Sequence, residues 1–429
     1  MMAPKSDLVK SDKVSRLFIH GAIASVILFQ KFGLLFGSSS ALFFCLPVFL
    51  GLVFWMYIRG YAVIRLFPLA LYCLFILSML IATTTALIYP DNRFGSSLTS
   101  LFGIAITYIV FLVGPSSRFQ RSAVLPVLLL YGRLICVLAV IQYLIQFAHI
   151  KLFSFERIFP ILKPILVESA FAKDPILEYG STIMRANGLF ILEPSILSQL
   201  IVFLGIIDFF IFKRATWAPL YGIAYLVTFS GTGALCLILA IGIYSCLDLS
   251  KVGQTLGFVF GIVALLAIAS TLFPEQFAHI AGRANELQSE GSSGYARYTS
   301  QFETLAAVLN EPRSVIGFGP GATTRSPFYV EGSGSSQMQL LVDYGIFGLI
   351  TFFTFFGVSV WRRDILVLSV LALVVYVVGG GYLLFSPMII LIAIICIWSG
   401  VPEQVVKLGR TALTPPTPNR MPPEFGLRS

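Results

Sequence analysis

The sequence predicts an all-α integral membrane protein with about twelve transmembrane helices and two long extracytoplasmic loops. Composition is the first reason. Of 429 residues, 57% are hydrophobic and 11% charged, with a mean hydropathy of +0.90, whereas ordinary globular chains carry about 25% charged residues. The second is length, because the apolar residues collect in runs able to cross about 30 Å of hydrocarbon. The third is charge placement: Lys and Arg gather in alternate loops, as a fixed membrane orientation requires.

Taken in order, the apolar runs predict helices at 17–37, 41–58, 66–89, 98–114, 123–148, 191–212, 216–230, 232–248, 254–273, 336–360, 364–379 and 383–399. The boundary at Ser230-Gly231-Thr232-Gly233 separates two of them, although a single kinked helix would read similarly. The chain divides into a tail over 1–16, spans over 17–148, a loop over 149–190, spans over 191–273, a larger loop over 274–335, spans over 336–400 and a tail over 401–429. This last tail carries Thr414-Pro415-Pro416-Thr417-Pro418, the composition of a disordered segment.

One side of this layout collects Lys5, Lys10, Lys13 and Arg16, then Arg59, Arg65, Arg118, Arg121, Lys213, Arg214, Lys251, Arg362, Arg363, Lys407, Arg410 and Arg420. The short loops on the other side carry only Arg93. Both termini are therefore expected to be cytoplasmic. The basic residues before the first span lead into a long apolar run without a small-residue cleavage pattern, so no cleaved signal peptide is expected. The formal charge of +9 reports on orientation rather than on nucleic acid, which is not an expected partner. All six cysteines lie within apolar runs, show no metal-ligand spacing and carry no information about redox compartment.

Loops as long as 149–190 and 274–335 are uncommon without a function. The first mixes Phe153, Phe155, Ile158, Phe159, Ile161, Leu162, Ile165 and Leu166 with Lys151, Glu156, Arg157 and Lys163, and is broken by Pro160 and Pro164. It reads as amphipathic pieces on the outer membrane surface. In the second, Ser292 and Ser293 can cap a helix over 295–309, with Tyr298, Phe302, Leu305, Ala306 and Leu309 as its apolar stripe. Arg297, Ser300, Gln301 and Thr304 share its polar face. Arg133 sits inside a predicted span, where a lone charge costs at least ~2.5 kcal/mol. Asp208 is a possible partner but lies nearer the inner end, and beside Lys213 and Arg214 it reads as an end-of-helix residue. Alternatively, residues 123–132 lie along the surface.

No Gly-rich segment ends in Gly-Lys-Ser/Thr, no His-Glu-x-x-His is present, and His20, His149 and His279 are scattered, which disfavours a nucleotide-driven pump or a zinc protease. What remains is outward-facing arginine and carboxylate, suited to holding a diphosphate and deprotonating a hydroxyl. Arg185-Ala186-Asn187-Gly188-Leu189-Phe190 and Glu193-Pro194-Ser195 stand at the outer mouth of the sixth predicted helix. Further on come Arg297, Glu311-Pro312, Gly317-Phe318-Gly319-Pro320-Gly321, and Met338-Gln339-Leu340 leading through Asp343, Gly345 and Gly348 into a helix. These elements resemble the O-antigen polymerase and O-antigen ligase family, over most of 185–360. There the first region reads Arg-x-x-Gly-x-Phe then Glu-Pro-Ser, and the second ends in Leu-Gln-x-x-x-Glu-x-Gly-x-x-Gly.

The resemblance implies a GT-C-like glycosyltransferase architecture in the bacterial inner membrane. It also implies metal-independent, inverting transfer of a growing glycan from undecaprenyl diphosphate to the next lipid-linked repeat unit on the outer side. No cofactor is implied, and a chain-length regulator and a flippase are the implied protein partners. Glu193 is the candidate general base. Arg185 and Arg297 are placed on the diphosphate, with Arg283 and Arg325 as further candidates from the same loop. Each has a plainer alternative: a headgroup anchor for Arg185, a helix-dipole acid for Glu193 and solvated charges for the others. Ligases carry a His where this chain has Gly334, and the Ser-Arg often found between the seventh and eighth helices is Ser230-Gly231 here. Transfer to a lipid A core is thus the second reading, and transport of lipid-linked sugars the third.

Overall fold

The computed structural model describes residues 5–36, 40–91, 97–150, 152–167, 183–247, 249, 252–272, 295, 299–325 and 335–401. Its helices are α1 (Lys5–Leu28), α2 (Cys45–Ile58), α3 (Leu66–Ile88), α4 (Leu98–Tyr108), α5 (Val124–Ile145), α6 (Pro194–Ile206), α7 (Ala218–Leu226), α8 (Gly231–Leu247), α9 (Val252–Leu272), α10 (Ser300–Leu309), α11 (Ser336–Val360), α12 (Leu366–Val378) and α13 (Ser386–Ala393). Each apolar run contains one helix, and α10 is the extra one in the larger loop. Among the described residues, four helical stretches, Leu66–Ile88, Arg121–Ala148, Pro194–Ile211 and Ser336–Val360, are long and apolar enough to cross a membrane.

The first run is not one helix. Helix α1 starts in the basic tail at Lys5 and stops at Leu28, and strand β1 (Gly33–Phe36) then pairs antiparallel with β2 (Ser40–Phe43). The break falls at Gln30 and Lys31, whose polar groups find partners outside a helix: Gln30 Oε1 accepts from Leu192 N at 3.4 Å. The buried Lys31 Nζ donates to Phe153 O at 3.3 Å and sits 5.3 Å from the Phe155 ring centroid. At Ser230-Gly231 there are two helices, not one kinked helix, with Phe229 in the left-handed region at φ +45° between them. The Tyr225 hydroxyl bridges this join, accepting from Ala234 N at 2.8 Å and donating to Ser230 O at 2.7 Å.

Helix α6 is mostly apolar apart from a face of Ser195, Ser198 and Gln199 in its first turns, and 83% of its spanning stretch is buried, as expected for a helix surrounded by others. It packs on α5, α7, α8 and α12. Two glycines set the approach: a Cβ on Gly132 would lie 2.5 Å from Leu204, and one on Gly233 would lie 2.8 Å from Ser198 O. A second seam joins α3, α4, α11 and α12 through Phe75, Tyr108, Phe352, Phe355 and Tyr376, with Tyr108 and Tyr376 sharing a hydroxyl hydrogen bond of 2.5 Å.

Loops assigned to one side by their charge meet loops assigned to the same side. Strand β3 (Ala62–Ile64) pairs with β4 (Val113–Pro115), Arg65 donates to Phe111 O and Ser359 O, and Arg362 donates to Ser399 O. At the opposite ends, Ser97 N donates to Pro320 O at 2.6 Å, and Arg313 donates to Tyr89 O.

Arg133 and Asp208 do pair, contrary to the depth argument. Arg133 Nη2 lies 2.7 Å from Asp208 Oδ2 and Arg214 Nε lies 2.6 Å from Oδ1. The Tyr221 hydroxyl donates to Oδ2 at 2.6 Å and accepts from Arg133 Nε at 3.1 Å, and the Arg133 guanidinium lies 4.5 Å from the Trp217 ring centroid. The helix widens into a π-turn over Ile207–Ile211 at this point, and the long arginine side chain covers the remaining depth. Residues 124–145 are accordingly one helix rather than a surface segment followed by a span. Arg133→Ala is expected to lower stability by only about 1–2 kcal/mol, because Arg214 still neutralises Asp208. Asp208→Ala, which orphans both arginines and Tyr221, should cost more, and thermal unfolding in detergent measures the difference.

In the first long loop, Phe153 and Phe155 are buried in the protein rather than set on the membrane, while Phe159 and Ile161 are exposed. Helix α10 is present from Ser300 to Leu309, but the expected stripe packs only in part: Phe302 is 73% exposed and Leu309 is also exposed. Leu305 of that stripe joins Val308, which lies outside it, in meeting Phe318, Ala322, Leu341 and Val342 in a small separate core. Ser292, Ser293 and Tyr298 lie outside the described residues.

Candidate active site

The segment leading into α6 is strapped to α5 by two glutamines. Gln142 Oε1 accepts from the Asn187 and Gly188 amides at 3.0 Å each, and its Nε2 donates to Asn187 Oδ1 at 3.0 Å. Gln146 accepts from Met184 N at 2.8 Å and donates to Met184 O at 3.2 Å. Arg185, half-buried, stands between the two straps. Gly188 is required here, since it adopts φ +67° and a Cβ would lie 2.6 Å from Ile135.

Glu193 is extended (φ −134°, ψ 151°) immediately before α6, with Pro194 in the first turn. Its side chain does not cap the helix. Instead Oε2 accepts from Ser195 Oγ at 2.8 Å, at the positive end of the helix dipole. Across from it, α12 ends in a Gly379-Gly380-Gly381 bend followed by Tyr382. The buried Gln199 of α6 donates to Gly379 O at 3.0 Å and accepts from the Tyr382 hydroxyl at 2.7 Å. Tyr382 N donates to Ser336 Oγ at 2.9 Å, tying the bend to the start of α11. Between these walls opens a cleft of about 180 Å³, lined by Glu193, Ser195, the three glycines, Tyr382 and apolar residues including Phe43, Leu192 and Phe385.

The Gly-rich turn over 317–321 docks on α11 where that helix is interrupted by Gly345 at φ +68°. Phe318 N donates to Val342 O and Gly319 N to Asp343 O, each at 2.9 Å, and Ile346 N donates to Ser314 O at 2.9 Å. The buried Asp343 carboxylate accepts from Gly321 N and Thr323 N at 2.8 Å each and from Thr323 Oγ1 at 2.7 Å. Arg325 follows on a short 3₁₀ turn, exposed.

Of the predicted site residues, Glu193 lines the cleft, Arg185 lies on the same strapped segment without lining it, and Arg325 sits on the docked turn. Arg283, Arg297 and Gly334 lie outside the described residues. Sequence reasoning did not single out Gln199, Tyr382, Asp343 or the glycine bend. Three consecutive glycines between two apolar runs were the available signal for the bend. A carboxylate at the rim of an aromatic-lined cleft can take a proton from a sugar hydroxyl.

A family model described as WcaD colanic acid polymerase matches residues 22–400. No curated protein and no solved structure matches the chain. The family match spans the helices, both strapped and docked segments and the cleft, and the chain belongs to the WcaD colanic acid polymerase family.

Proposed function

We propose that this membrane protein polymerises lipid-linked glycan repeat units on the outer side of the bacterial inner membrane. A hydroxyl of the next unit attacks the anomeric carbon of the growing chain. Its proton goes to Glu193, the new glycosidic bond forms as the bond to undecaprenyl diphosphate breaks, and the electron pair leaves on the diphosphate. Arg185 and Arg297, with Arg283 and Arg325, hold that leaving group, since arginine stays charged and binds phosphate bidentately. Neither metal nor nucleotide is required. The twelve helices all span, in a GT-C-like arrangement with both termini cytoplasmic. A flippase supplies the units and a chain-length regulator limits the product.

The observation that carries this reading is Glu193 lining an open cleft and, among the described residues, bonded through its side chain to Ser195 rather than to the first-turn amides, in a chain of a polymerase family. The meeting of same-side loops supports the orientation. The family's description favours polymerisation over transfer to a lipid A core, and an exopolysaccharide over O-antigen. The test is purified protein with a lipid diphosphate-linked repeat unit and a chelator, without nucleotide. A ladder of products is expected. Transfer only when lipid A core is added would replace this reading with the ligase one, and no product in either mixture would sink both. Arg297→Ala and Arg185→Ala are each expected to weaken lipid-substrate binding about tenfold or more, and unchanged binding would remove that arginine from the diphosphate site.

A further inference from the structure

We propose that the cleft facing Glu193 is an acceptor-sugar site, shaped for a neutral pyranose whose reacting hydroxyl points at the carboxylate. The proposal rests on the polymerase reading of Glu193 and assigns the walls around it. Charge separates acceptor from donor: the lining holds one carboxylate and, among the described residues, no basic group. A diphosphate would meet uncompensated repulsion there, whereas an uncharged sugar would not.

The shape fits the same class. Phe43 and Phe385 pack edge to face at 5.1 Å, and Tyr382 lies 5.8 Å from Phe385 at an interplanar angle of 38°, so two buried rings back the half-buried Phe385 in the cleft wall. A pyranose presents a face of C–H bonds rimmed by hydroxyls, and an aromatic surface takes the former. Glu193 and Ser195 stand in the same lining to meet the latter. The space of about 180 Å³ lies below the roughly 300–1,000 Å³ of drug-sized sites, which limits the occupant to about one ring.

Tyr382 is fixed from two directions, by Gln199 at its hydroxyl and by Ser336 at its amide. Gln199 is fully buried and reaches the sugar only through Tyr382 and Gly379. It is a positioning residue, located on the helix that Glu193 immediately precedes.

The test uses the full chain in nanodiscs of phosphatidylethanolamine and phosphatidylglycerol. The probes are the methyl glycosides of glucose, galactose and mannose, followed by ligand-observed saturation-transfer NMR and as inhibitors of the ladder reaction. At least one glycoside is expected to bind, with binding weakened about tenfold in Phe385→Leu and unaffected in Arg185→Ala. In the ladder reaction, Gln199→Leu and Tyr382→Phe should raise half-saturation for acceptor while leaving the saturated rate within about threefold. A merely structural role would instead lower rate and folded protein together. A ladder without glycoside binding, or binding indifferent to Phe385→Leu, would overturn the sugar site. Glycoside binding that depends on Phe385, in a protein that forms no ladder, would support the site and count against the polymerase reading alone.

Discussion

Glu193→Gln is expected to reduce polymer formation by about 10²–10⁴-fold, the usual contribution of a positioned proton acceptor, with the protein folded and inserted as before. Gln has nearly the same shape and keeps an oxygen for the Ser195 hydroxyl, which lies 2.8 Å from the carboxylate. What it loses is the capacity to accept a proton. The competing role, an acid that caps α6 or answers its dipole, makes a different forecast. A cap would survive the change to Gln with a few tenths of a kcal/mol lost and polymer still made. The geometry already weakens that role, because the Glu193 side chain makes no hydrogen bond to the first-turn amides. Product ladders and thermal unfolding measured on the same preparation separate the two. Normal polymer length and amount in the Gln variant would take Glu193 out of the mechanism.

The helices were legible in the sequence because a membrane span needs only length and hydrophobicity, both one-dimensional properties. The reading failed where a polar residue inside an apolar run finds a partner distant in sequence. Lys31 and Gln30 end α1 because their partners, Phe153 and Leu192, are brought up by later segments. Arg133 was judged mismatched in depth with Asp208, since depth was counted along helix axes without the π-turn or the reach of the side chain. Glu193 could be singled out because its neighbours form a recognisable local pattern. Gln199 and Tyr382 could not, because their significance arises from a hydrogen bond across 183 positions of chain. The stripe on α10 was partly misread, for a related reason. Its packed face is set by the Gly-rich turn that docks beside it, through Phe318 and Ala322, and not by helical periodicity alone.

That docked turn gives the second large effect. Asp343→Ala is expected to lower stability by about 3–5 kcal/mol, the scale for removing one side of a buried, charge-assisted network. Both carboxylate oxygens are committed: Oδ2 to Gly321 N, and Oδ1 to the amide and hydroxyl of Thr323. Deleting them strands two amides and a hydroxyl at the foot of the turn. Smaller changes should fall in order. Thr323→Val removes a single donor and should cost about 1–1.5 kcal/mol. Asp343→Asn should lie between, since its NH₂ must face either Gly321 N or the Thr323 donors. The main-chain bonds from Phe318 N to Val342 O and from Gly319 N to Asp343 O persist in every variant, so the series isolates the carboxylate; the close approach they depend on needs Gly345, where a Cβ would lie 2.4 Å from Val315 O. The series also decides what an acid at this position does. If Asp343 clamps the turn, activity and unfolding temperature fall together through the series, and activity returns when the assay is run colder. If it were a proton acceptor, Asp343→Asn would abolish polymer at an unchanged unfolding temperature, and cooling would restore nothing.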